Sequence, residues 1–125
     1  MSKRVLLAED EPNIVLSLTF LLERAGFVVA SEVTGKAALS AALADPPDVM
    51  ILDVMLPELD GFEILRVLRA DPRGKELPVL MLTAKGQRED RETAFAAGAD
   101  LFITKPFSNA EVTQAVAQLA GTPAP

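Results

Sequence analysis

Two hydrophobic patterns alternate along the chain. Short apolar runs recur at 5–8, 27–30, 49–52, 78–82 and 101–104, and each leads into a segment whose apolar residues return at helical spacing. Pro12 suits the first residue of a helix, where its missing N–H is no loss, and Ile14, Val15, Leu18, Leu21, Leu22 and Ala25 follow before Gly26 provides a stop. A second helix is predicted from Thr34 to Ala44, closed by Asp45-Pro46-Pro47. Asp60 and Glu63 offer a capping-box-like start to a third, which turns Ile64, Leu65 and Leu68 inward. The fourth, Gln87 to Ala97, is polar over its first half and has only Ala94, Phe95 and Ala97 as anchors, which predicts the least stable element. Ser108 and Glu111 open the last, carrying Val112, Ala115, Val116 and Leu119.

Five strand–helix repeats with short connections predict an α/β fold, a doubly wound parallel sheet between helices in three αβα layers. Crossovers are right-handed. Among doubly wound orders, the flavodoxin-like 2-1-3-4-5 needs only five strands and fits best. Val49-Met50-Ile51-Leu52 is continuously apolar, as a central strand covered on both faces should be. One domain over 1–121 is expected, with 122–125 as a tail or the start of a linker.

Composition narrows the function classes. Twelve Lys and Arg stand against eighteen Asp and Glu, a net charge of −6, which disfavours direct binding of nucleic acid. The chain has no Cys and no His, which removes disulfides, thiol nucleophiles, thiolate zinc sites and the commonest general base. No apolar stretch approaches the ~20 residues of a membrane span, and the first residues lack a signal-peptide core. A cytoplasmic location without membrane contact is therefore expected. Neither GxxxxGK[ST] nor GxGxxG occurs, which argues against a nucleotide-binding protein.

Open α/β sheets bind ligands beyond the carboxyl ends of their strands, where strand order reverses. The first predicted strand ends in Glu9-Asp10, the third in Asp53, the fourth in Thr83 and the fifth in Lys105. Each alone has an ordinary reading as a cap or turn residue. Together they converge on one sheet edge with complementary chemistry. Crowded carboxylates need a cation, and hard oxygen donors without His or Cys point to Mg²⁺, or Mn²⁺. Lys105 and Thr83 would neutralise and bind phosphoryl oxygens, and Asp53 is the candidate nucleophile.

The segments VLLAEDEPNI (5–14), DVMILDVMLPELDGF (48–62), Met81-Leu82-Thr83-Ala84 and Gly98-Ala99-Asp100 with Lys105-Pro106-Phe107 resemble the receiver domains of two-component response regulators, over nearly the whole chain. The resemblance implies that Asp53 is phosphorylated by a sensor histidine kinase or phosphotransfer protein. It implies that Asp10, Asp53 and the Met55 carbonyl bind the metal, with Glu9 acting through coordinated water. Thr83 and Lys105 would contact the phosphoryl group, and the Lys105–Pro106 bond would be cis. A switch would couple Thr83 to Phe102, where Phe replaces the more frequent Tyr.

The same resemblance places an output surface on the fourth helix, fifth strand and last helix. This surface would address a downstream effector or the protein's own output domain. Phosphorylation-dependent dimers of the family use charge pairs there. Arg91, Asp100 and Glu111 fit that pattern, whereas Leu101, expected to be exposed, and Ala115 stand where charges are usual. The activity implied is slow self-phosphorylation and self-dephosphorylation in a signalling domain. The alternatives are an interaction module that is not phosphorylated, and an Asp-nucleophile phosphatase. The latter lacks its usual second acid, whose place is taken by Met55.

Overall fold

The structure, a computed structural model, describes residues 2–83 and 88–121, with the side chains of 88–90 outside that description. Ala84, the expected helix start at Gln87 and the expected tail at 122–125 lie outside the described residues. The element order is β1 (Arg4–Ala8), α1 (Pro12–Arg24), β2 (Val28–Glu32), α2 (Gly35–Ala44), β3 (Val49–Asp53), α3 (Gly61–Ala70), β4 (Val79–Thr83), α4 (Arg88–Ala97), β5 (Leu101–Thr104) and α5 (Asn109–Ala120). All strand pairs are parallel, and the sheet order is β2-β1-β3-β4-β5.

Every residue of β3 and β4 is buried, which explains the apolar runs Val49–Leu52 and Val79–Leu82. Alternation along the strands sorts the core into two halves. Leu6, Met50, Leu52 and Met81 pack with Ile64, Leu65 and Leu68 of α3 on one face. Val5, Leu7, Ile51, Leu80 and Leu82 pack with Leu18 and Leu22 of α1 and Val112 and Val116 of α5 on the other.

The second strand lies further along the chain than the apolar pattern predicts. Phe27 is buried just before it, and the strand runs on through Ser31 and Glu32. Its register against β1, from Arg4 beside Val28 to Ala8 beside Glu32, carries it that far. Polar residues are tolerated because β2 is an edge strand and half exposed.

Helix starts follow local chemistry. Thr34 accepts the Ala37 N–H and Asp60 accepts the Glu63 N–H. At α5 the capping box is complete: Ser108 Oγ accepts from Glu111 N (3.1 Å) while Glu111 Oε1 accepts from Ser108 N (3.0 Å). Glu11 precedes α1 without a side-chain cap bond, and Pro12 fixes the entry instead.

One surface expectation is corrected: Leu101 is only partly exposed and packs against the α1–α5 half of the core. Ala115 is buried, in keeping with its place in the apolar series of α5. None of the helices among the described residues is long and apolar enough to cross a membrane.

Candidate phosphoacceptor and metal site

The strand alternation that builds the core also aims the site. Glu9, Asp53 and Lys105 each stand two residues beyond an α1–α5 core residue (Leu7, Ile51 and Ile103), so they share a side of the sheet crest. Thr83 stands two beyond Met81 and takes the opposite side. All four belong to the carboxyl ends of the strands or the residues just after them.

Asp53 is 2 % exposed, and each oxygen of its carboxylate is engaged. Oδ1 accepts the Met55 N–H at 3.1 Å, and Oδ2 accepts from Lys105 Nζ at 3.1 Å. Lys105 therefore reaches back across the crest from the loop after β5. Its ammonium also lies 3.0 Å from Glu9 Oε1 and 3.3 Å from Glu11 Oε1. Glu11 joins the charge cluster although the sequence marks it only as one of an acidic trio before a helix. Its position became legible only once β1 and β5 were brought to the same crest.

Glu9 is fully buried. Its Oε2 accepts the N–H groups of Asp10 (3.0 Å) and Glu11 (3.1 Å), which folds the side chain back over the loop. Oε1 has ion-pair proximity to Lys105 but not hydrogen-bond alignment, and is a buried oxygen lacking a hydrogen bond. Burial pushes the Glu9 carboxyl up to about 7, with the nearby Asp53 adding to the rise against the Glu11 N–H and Lys105. Burial by itself would lower the Lys105 pKa. Pairing with Glu9 and the charge of Asp53 outweigh that and hold it above the usual lysine value.

Glu9, Asp10 and Asp53 each offer a carboxylate oxygen, and these oxygens lie within 4.8 Å of one another. An all-oxygen set of three carboxyl groups with one unsatisfied buried oxygen fits a hard divalent cation. Asp10 is the exposed member. The Met55 side chain is 71 % exposed, and its backbone N–H is directed to Asp53.

Thr83 is 2 % exposed, and its carbonyl accepts the Lys105 N–H at 2.6 Å. Phe102 is opposite Met81 in the β4–β5 register, on the same side of the sheet as Thr83. It is half buried, with its ring 6.5 Å from that of Phe95 on α4. The Lys105–Pro106 peptide bond is cis. Beside Lys105 lies a cavity of about 490 Å³ lined by Glu11, Ile14, Pro106 and Phe107.

A parallel 2-1-3-4-5 sheet with a buried aspartate, an acidic cluster and a lysine on one crest defines a flavodoxin-like αβα domain with an acidic crest site. The family model for the response regulator receiver domain matches residues 5–117, and the chain belongs to that family. It is 43 % identical over 116 residues to the alkaline phosphatase synthesis transcriptional regulatory protein PhoP of Bacillus subtilis, covering 93 % of this chain and 48 % of that one. The chain spans about half the length of the curated relatives it matches.

Among solved structures, a putative response regulator from Chloroflexus aurantiacus superposes with a TM-score of 0.92 at 32 % identity, covering 97 % of this chain and 99 % of that one. The receiver domain of the sensor histidine kinase PA1611 from Pseudomonas aeruginosa PAO1 gives 0.89 at 30 % identity, covering 98 % and 100 %. That structure holds a magnesium ion coordinated in its active site cleft.

On the α4–β5–α5 face, the three residues that fit the family's charge pairs make contacts within the chain. Asp100 is bound within the chain, accepting from Arg69 Nη2 at 3.1 Å and from the Val79 N–H at 2.8 Å. Glu111 is occupied by the α5 capping box. The Arg91 guanidinium lies over the Phe95 ring, 5.9 Å from its centroid.

Proposed function

We propose that this chain is a phosphorylation-controlled switch in which Asp53 takes a phosphoryl group from a sensor histidine kinase or a phosphotransfer protein. The observation that carries the reading is the Asp53 carboxylate, buried at the end of the central strand between Lys105 Nζ and the Met55 N–H, both at 3.1 Å. A carboxylate oxygen attacks phosphorus in line, and the P–N bond to the donor imidazole breaks. The imidazole nitrogen leaves with the electron pair and takes up a proton. The donor histidine lies outside this chain, which has none.

Glu9, Asp10, Asp53 and the Met55 carbonyl would hold the divalent cation, which supplies charge neutralisation at the phosphoryl oxygens when bound. The all-oxygen cluster supports Mg²⁺, as does the magnesium in the PA1611 receiver domain. Lys105, already aimed at Asp53, pairs with one phosphoryl oxygen, and the Thr83 hydroxyl donates to another. Drawing Thr83 toward the phosphoryl group vacates space on the side of the sheet that Phe102 shares, so the ring follows and the α4–β5–α5 face changes. That face would address an effector or an attached output domain. With Asp100 and Glu111 engaged inside the chain, a symmetric charge-paired dimer is the less favoured form of that output.

The test is incubation with Mg²⁺ and acetyl phosphate, followed by intact mass and hydroxylamine treatment. One hydroxylamine-labile phosphoryl group is expected, absent in Asp53→Asn and in excess chelator. Equal labelling of Asp53→Asn would refute Asp53 as the acceptor, and no label on wild type would leave the reading of a receiver-like interaction module without phosphorylation.

A further inference from the structure

Among the described residues, Glu58 is the one non-glycine residue with positive φ, at +72°. The Leu59 N–H donates to the Pro57 carbonyl at 2.9 Å, so 57–59 closes on a hydrogen bond spanning three residues. This is the bond and the φ of the rare, strained form of the γ-turn. A strained backbone persists only where its surroundings over-determine it.

Here the surroundings come from α2. The Gly35 N–H donates to the same Pro57 carbonyl, also at 2.9 Å. A Cβ on Gly35 would sit 1.9 Å from the Leu59 oxygen and 2.7 Å from its carbonyl carbon, so no other residue fits without moving the turn. Thr34, which caps α2 through the Ala37 N–H at 3.2 Å, fixes the helix end that makes this contact. From the turn the chain runs back through Met55, whose N–H orients the Asp53 carboxylate.

We infer that Gly35 is a positioning residue for the site. By seating the strained turn against the start of α2, it sets the path of 54–59 and hence the placement of the Met55 backbone beside Asp53. The inference rests on the reading of Asp53 and its neighbours as a metal and phosphoryl site. It adds a remote element, α2, to the parts on which that site depends. Helix propensity alone favours Ala over Gly inside a helix, so a purely local view expects Gly35→Ala to be harmless or stabilising.

Gly35→Ala and Thr34→Ala would be compared with wild type by Mg²⁺ titration followed through amide NMR, and by acetyl phosphate labelling. Folding would be checked by circular dichroism. The expected result for folded Gly35→Ala is a shifted Met55 amide in metal-free protein, with Mg²⁺ affinity and labelling rate each at least tenfold lower. Thr34→Ala should lose a few-fold in Mg²⁺ affinity while remaining folded. Wild-type affinity in either folded variant overturns the inference. If Gly35→Ala does not fold, Thr34→Ala decides alone. If wild type binds Mg²⁺ but takes no label, the phosphorylation reading fails while the affinity comparison still judges Gly35.

Discussion

Lys105 Nζ stands 3.0 Å from Glu9 Oε1, and each group favours the charged form of the other. The lysine occupies the acidic cluster from the side of Asp53 and in part does a cation's work there. Lys105→Ala leaves two buried carboxylates without their counter-charge, an expected loss of roughly 3 kcal/mol in metal-free protein. Mg²⁺ should then stabilise the variant more than the wild type, because it no longer competes with the ammonium. Urea unfolding at pH 7.5 with and without Mg²⁺ measures both. Equal stabilisation of the two proteins would refute competition between lysine and metal.

Glu9 gives the fold a pH dependence of known sign. Its folded pKa, raised to about 7 by burial, exceeds the ordinary value of 4.5, so the folded protein holds the proton more tightly than the unfolded chain. The contribution is fully present below pH 4.5 and is lost as pH rises through 7. Glu9→Gln removes this titration. Metal-free wild type should therefore lose stability relative to Glu9→Gln across that window, by at most roughly 3 kcal/mol. Saturating Mg²⁺ should reduce the loss, since it favours the charged carboxylate. Parallel stability curves for the two proteins would contradict the raised pKa.

The sheet order and the main site residues were legible because they depend on local pattern. Five apolar runs fixed the strands, and the residue that ended each run fell on the crest by topology alone. Asp53 could be read from the end of Val49–Leu52, and Lys105 from the end of β5. The displaced β2 could not, because an edge strand has no need of an apolar pattern and takes its limits from β1. Nor could the intrachain bonds of Asp100, which depend on an arginine 31 residues away. The turn at Glu58 was equally hidden: glutamate carries no signal for positive φ, and the glycine that holds the turn lies on another helix.

That turn yields a stability prediction independent of the site. A glutamate held at φ +72° carries backbone strain of about 1–3 kcal/mol that glycine would not. The gain is reduced by the greater freedom of glycine in the unfolded chain, about 0.5–1 kcal/mol. Glu58→Gly should thus stabilise the protein by roughly 1 kcal/mol, read as a higher urea midpoint at unchanged slope. Glu58→Ala should give no such gain, as alanine shares the strain. A stabilisation by Ala equal to that by Gly would mean that the glutamate side chain, not the backbone, is at fault.

Arg69 makes the remaining structural prediction. Its guanidinium donates to Gly98 O from Nε (3.0 Å) and Nη2 (2.7 Å), and to Gly74 O and Leu77 O from Nη1 at 2.8 Å each. Nη2 also reaches Asp100, so one side chain from the end of α3 ties the α3–β4 loop to the turn between α4 and β5. The planar fork holds five donors at fixed spacing and serves these four acceptors at once, whereas an ammonium has only three donors on one nitrogen. Arg69→Ala leaves several carbonyls short of a donor and should cost roughly 2–3 kcal/mol. Arg69→Lys should recover less than half of that. Because Asp100 N donates to Val79 O and Ala99 N to Ala94 O, amide exchange at 99 and 100 should quicken most in both variants. Exchange that quickens evenly along the chain would instead assign Arg69 to global stability and release α4 from its hold.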